Sequence, residues 1–174
     1  MLNLITKPLA IRLSSEVCLI MICLLAGGCG KTHDPNSKAV TEFVLKAGGK
    51  VIPVNSDLPI DTPGKIPEGD FAVREIDLTD TKIKDLDMKK IVDLPYLESL
   101  NLHGTNLTDK GLAELSGLPE LKSLEIAYTR VGDEEVSKLT RFPKLRKIFL
   151  YGTALKPQTI EDLKSNLRGC VIYK

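Results

Sequence analysis

The stretch "LESLNLHGTNLTD", Leu97 to Asp109, decides the fold. Leu100 and Leu102 alternate with Ser99, Asn101 and His103, the period-two pattern of a strand buried on one side. Gly104 and Thr105 interrupt it, and "LTDKGLAELSGLP" follows. Thr108 or Asp109 is placed to cap a helix start, and Leu112 with Leu115 puts two apolar side chains on one face. Gly117 and Pro119 end that helix. A single strand with a single short helix cannot bury its own apolar side, so this unit needs neighbours of the same kind.

The neighbours are present. "VREIDLTDTKIKD" from Val73, "LKSLEIAYTRVGD" from Leu121 and "LRKIFLYGTALKP" from Leu145 repeat the pattern, each copy beginning 24 residues after the last. The shared form is [LV]-x-x-[LI]-x-[LI]-x-x-T-x-[IVL], with threonine at Thr81, Thr105, Thr129 and Thr153. A fixed period in this range is the mark of a solenoid. Ile76/Leu78, Leu100/Leu102, Leu124/Ile126 and Ile148/Leu150 then form one aliphatic ladder between parallel strands and helices. Each threonine hydroxyl is expected to bond backbone in the adjacent copy.

These copies resemble the leucine-rich repeat, with threonine where the commoner pattern has asparagine. The resemblance implies an α/β solenoid with short parallel strands on the concave side and short helices on the convex side. The wider plan resembles small bacterial envelope lipoproteins with repeats of the "GT-x-[VIL]-T-D-x-G-L" kind, over about residues 40 to 174. Asp80 and Tyr128 replace the glycine before threonine, and Lys156–Pro157 stands where Thr–Asp would be, so these turns are expected to be less regular. At the ends, Val40 to Lys46 reads as a helix stopped by Gly48–Gly49, with a strand from Val51 and a proline-rich connection. Ile160, Leu163 and Leu167 mark a last helix, "GCVIYK" a last strand, and Cys170 a small buried hydrophobe in the cap.

The N-terminal stretch "LLAGGCGKTHD", Leu24 to Asp34, admits a nucleotide loop or a processing site. The P-loop needs glycine at position 25, where Leu25 stands, and a helix afterwards, where "HDPNSK" follows. The alternative fits. Lys7 and Arg12 form a positive region, Val17 to Ala26 an apolar run, and Ala26, Gly27 and Gly28 lead into Cys29. This resembles a bacterial lipobox, which implies acylation of Cys29 and anchoring at the cell envelope, on the outer membrane or the outer face of the inner one. The ten apolar residues are half of the roughly 20 a spanning helix needs. The expected organisation is therefore signal peptide 1–28, polar linker 29–38, N-terminal cap 39–72, and four repeats with a C-terminal cap over 73–174.

Of the 24 Lys and Arg and 23 Asp and Glu, Lys7, Arg12 and Glu16 precede Cys29, leaving 22 of each. A balanced charge argues against nucleic acid as a partner. With Cys18 and Cys23 in the signal and Cys29 acylated, Cys170 stands alone, which excludes a disulfide framework or cysteine metal site. No metal-binding or cofactor motif occurs, so neither metal nor cofactor is expected. His103, with Asp77 and Glu125 in neighbouring rows, has the makings of a general base, but no serine or cysteine nucleophile accompanies it. Lys89–Lys90 and Glu134–Glu135 read as solvated helix faces.

A non-enzymatic binding module for a protein or glycan is thus the leading expectation, ahead of a purely structural envelope component or a hydrolase built on His103. The outward strand rows are Glu75/Asp77/Thr79, Ser99/Asn101/His103, Ser123/Glu125/Ala127 and Lys147/Phe149/Tyr151. The last is basic and aromatic, which makes Lys147, Phe149 and Tyr151, with His103 and Tyr128 at the margin, the expected partner-binding residues. The competing expectation is that the C-terminal cap covers Phe149 and Tyr151.

Overall fold

The computed structural model describes residues 34–174, so the expected signal peptide, Cys29 and the first half of the expected polar linker lie outside the described residues. Helix α1 (Ser37–Lys46) leads into β1 (Lys50–Pro53). The repeats contribute β2 (Val73–Asp77), β3 (Ser99–Asn101), β4 (Ser123–Glu125) and β5 (Lys147–Phe149). Strand β6 (Val171–Tyr173) follows the last helix, and the six strands lie in the order β1 to β6. β1 is antiparallel to β2, and every later pair is parallel. The register is 24 residues throughout: Ile76 faces Leu100, which faces Leu124, which faces Ile148.

That register sends the aliphatic ladder inward. Ile76, Leu78, Leu100, Leu102, Leu124, Ile126, Ile148 and Leu150 are all buried, and Leu112, Leu115, Val136 and Leu139 close over them from the helical side. The helical layer is less uniform than expected. The second repeat forms α2 (Asp109–Glu114), capped by the Thr108 hydroxyl accepting from the Lys110 N–H. The first forms only a 3₁₀ segment, Asp85–Lys90. The third splits into α3 (Asp133–Val136) and a 3₁₀ turn, Ser137–Arg141, and the fourth carries the longer α4 (Pro157–Asn166). The six residues of α2 and four of α3 are too few to hold by propensity, so packing onto the strand layer sets their form.

Two ladders of side-chain hydrogen bonds run through the repeats. Thr81, Thr105, Thr129 and Thr153 are buried, and each hydroxyl donates to a carbonyl three residues back, at Leu78, Leu102, Ile126 and Leu150. The bond is therefore inside each copy, not to the adjacent one as the sequence suggested. The bonds between copies come from aspartates. Asp85 accepts from the Thr108 N–H and hydroxyl, Asp109 from the Gly132 N–H, and Asp133 from the Lys156 N–H and the Thr159 hydroxyl. Each thereby satisfies a backbone donor that the start of the next helix leaves open.

Several expectations need correction. α1 starts at Ser37, inside the segment read as linker, and β1 starts one residue early. Asp80 and Tyr128 do not loosen their turns: φ is 56° and 54° there, against 68° and 66° at Gly104 and Gly152. The N–H groups of Asp80, Gly104 and Tyr128 all continue the ladder, to the carbonyls of His103, Ala127 and Tyr151. Glu135 is not a solvated residue. It is 7% exposed and pairs with Lys138 at 2.6 Å and Arg141 at 3.2 Å, while Arg141 also donates to the Leu112 carbonyl of the preceding repeat. Ala127 is buried, a methyl flanked along the ladder by His103 and Tyr151. Cys170 is half-buried rather than enclosed, and burial pushes its thiol above the ordinary value against the opposing charge of Arg146.

Candidate functional site

The outward strand face changes character from β1 to β6. On β1 and β2, Lys50 pairs with Asp77 at 3.2 Å and Arg74 with Glu75 at 3.3 Å, so the carboxylates there are matched. Asp77 also accepts from the Thr79 N–H and hydroxyl. Burial raises its carboxyl, but these bonds and Lys50 outweigh that and hold it below the ordinary value. Asp77 is therefore engaged within its own end of the sheet. The middle rows, Ser99/Asn101 and Ser123/Glu125, are half-buried and polar.

His103 stands where the polar rows give way to aromatic ones. Its N–H donates to the Asn101 side chain, which fixes the turn carrying it. Its Nδ1 lies 3.0 Å from Glu125 Oε1 in the next repeat. That contact directs Nε2 away from the carboxylate. The Tyr128 ring sits 5.1 Å from the imidazole, centroid to centroid, tilted by 55°. No serine hydroxyl or cysteine thiol bonds the imidazole among the described residues, so the orienting carboxylate of a catalytic arrangement is present without a nucleophile.

Tyr128 is held from the other side as well. Its ring passes over Gly152, where a Cβ would come within 2.5 Å of the ring. The tyrosine is nonetheless 62% exposed. A bulky residue at φ 54° costs on the order of 1 kcal/mol, and such strain persists only where surrounding contacts over-determine it. Here the N–H bond to the Tyr151 carbonyl holds the backbone, and His103 and Gly152 hold the ring. The result is an exposed aromatic ring with its position set in advance.

The last rows combine exposure with aromatic stacking. Tyr151 is 44% exposed, and Lys147 projects from the same row. Phe149 is half-buried, for a reason neither sequence expectation contained. The C-terminal segment does not fold over it; it adds β6 alongside, and Tyr173 stacks on Phe149 with centroids 4.5 Å apart and planes 6° from parallel. The expected site residues His103 and Tyr128 are in contact, Lys147, Phe149 and Tyr151 share one row, and Tyr173 is an addition. Its one signal was the spacing of 24 residues from Phe149, obscured because "GCVIYK" lacks the repeat pattern.

Among the described residues no group of three or more His, Cys, Asp or Glu is arranged to hold a metal ion. No helix among them is long and apolar enough to cross a membrane. No curated protein matches the chain. The leucine rich repeat family model matches residues 72–131, the span from the residue before β2 through the turn carrying Tyr128. With six strands in solenoid order and a helical layer behind the parallel ones, the chain has the leucine-rich repeat fold, a fold that typically serves as a non-enzymatic protein-interaction module.

Proposed function

We propose that this protein is a lipid-anchored binding module of the bacterial cell envelope, which captures a protein partner on the outward strand face at its C-terminal rows. Acylated Cys29 would tether the module, and at about 0.8 kcal/mol per buried CH₂ two or more acyl chains suffice to hold a domain of this size at a bilayer. The docking surface comprises His103, Tyr128, Lys147, Phe149 and Tyr151. The observation that carries the reading is the strained, exposed Tyr128, held between His103 and Gly152. A ring fixed before binding loses little side-chain freedom on association, which is what makes aromatic anchors dominate interfaces.

The test is site-specific crosslinking in intact cells, with a photoreactive residue in place of Tyr151 and, separately, of Glu114 on the helical side. A discrete protein adduct from position 151 and none from 114 supports the reading. Adducts from 114 alone place the interface on the opposite side. Adducts from neither, in cells where the anchored protein is present, favour a structural envelope component without a discrete ligand.

A further inference from the structure

The two edges of the sheet are finished differently. Outside β1, Ile60 forms an antiparallel bridge to Val51, with N–H to carbonyl bonds of 2.8 and 3.1 Å in both directions, and Pro53 ends the strand. Outside β6, no strand or bridge is present among the described residues. The Val171 N–H donates to the Arg146 carbonyl, and the Tyr173 carbonyl accepts from the Leu150 N–H, so these two residues turn their backbone toward β5. By strand alternation the N–H and carbonyl of Ile172 point outward. Val171, beside it on the outward face, is 51% exposed. An open edge of this kind is a template for another strand.

Charge and aromatic spacing indicate which strand. Arg146, Lys147 and Arg168 are exposed where the chain enters β5 and β6, and none pairs with a carboxylate among the described residues. On the earlier rows the carboxylates of Glu75, Asp77 and Glu125 already have cationic or imidazole partners. Along the entries to β5 and β6 the unpaired side-chain charge is therefore positive. The Phe149–Tyr173 stack, at 4.5 Å, has nearly the spacing of paired strands, about 4.8 Å, so a ring in register on an added strand would continue it.

We infer that β6 accepts a seventh strand, an extended acidic segment of the partner protein with an aromatic residue in register with Tyr173 and carboxylates facing Lys147 and Arg168. The inference rests on the strand face being the docking surface and names the chemistry of what docks there. Backbone bonds at Ile172 would supply affinity, and the stacked ring and matched charges the selection.

The experiment is a selection of random displayed peptides on the full chain, followed by affinity measurement of the enriched peptides. Expected are acidic peptides carrying an aromatic residue, weakened at least about tenfold by Lys147→Glu with Arg168→Glu and by raised salt. Tyr173→Ser should weaken them too. Melting curves of the variants, with Lys147→Gln and Arg168→Gln as milder forms, separate lost binding from lost folding. Peptides that require Tyr128 and Tyr151 but show no acidic bias overturn the inference and leave the strand-face reading standing. Peptides indifferent to every strand-face substitution overturn both. Concentration-dependent dimers of the chain alone, abolished by Tyr173→Ser, would assign the edge to a second copy and overturn the inference.

Discussion

Gly152 lies beneath the ring of Tyr128, one repeat earlier: a Cβ on Gly152 would stand 2.5 Å from ring Cδ1. Asp80 stands over Gly104 in the same way, so side chains of the first and third repeats occupy space that glycine leaves open in the second and fourth. All four residues share a positive φ.

Gly152→Ala should accordingly lower stability by about 2–3 kcal/mol, part from the left-handed backbone and part from collision with the ring. In a Tyr128→Gly background only the backbone part, about 1 kcal/mol, should remain. Denaturant melts of the double-mutant cycle measure the difference. Equal costs in both backgrounds would mean that the ring does not rest on Gly152.

Leu124→Asp should unfold the array, while Glu125→Ala should change stability by no more than about 0.5 kcal/mol. Leu124 is fully buried between Leu100 and Ile148, and replacing it loses about 1.5–3 kcal/mol of burial and adds a desolvated charge. Glu125 is half-buried on the outward face, with His103 as its partner. Similar losses in thermal melts would show the strand register to be wrong by one residue.

Asp133, which bonds the next copy, and Asp87, which caps the 3₁₀ segment of its own copy, should make stability fall in acid. The Thr159 hydroxyl, then the Lys156 N–H, hold the Asp133 carboxyl below its ordinary value, and the Lys84 N–H does so foremost for Asp87. Groups depressed in the folded state contribute fully above the unfolded value, near pH 4, and lose that contribution as pH falls through the folded value. Melting temperature should therefore be level down to about pH 5 and decline below pH 4, less steeply in Asp133→Asn. A decline of the same slope in that variant would assign the acid sensitivity elsewhere.

Cys29→Ser should leave the protein unacylated, either free in the aqueous phase or held only by an uncleaved signal. Detergent phase partition and mass analysis of the mature N-terminus report this. A wild-type chain that partitions to water and begins at a residue other than Cys29 would refute the anchor.

The ladder Ile76–Leu100–Leu124–Ile148 was legible because burial imposes one residue class at one spacing. The hydrogen-bond ladders were not. Sequence alone does not say whether a turn threonine bonds its own copy or the next, and only backbone geometry selects its own, as at Thr105 to Leu102. Asp85, Asp109 and Asp133 look like surface charge until the solenoid brings Thr108, Gly132 and Lys156 to them. Glu135 misled for a similar reason, since Arg141 reaches it only after a 3₁₀ turn. At the candidate site, the aromatic character of the Lys147/Phe149/Tyr151 row was readable. The Tyr173 stack was not, because β6 follows a helix outside the repeat pattern.

Whether the strand face carries the binding energy is read from the affinity of the crosslinked partner for Tyr128→Ala and Tyr151→Ala, measured beside their melting temperatures. Each variant should lose affinity at least about tenfold, with the melting temperature of Tyr151→Ala moving by no more than about 2 °C. Unchanged affinity at unchanged stability, or affinity and stability falling in step, would show that these rings do not carry the binding energy.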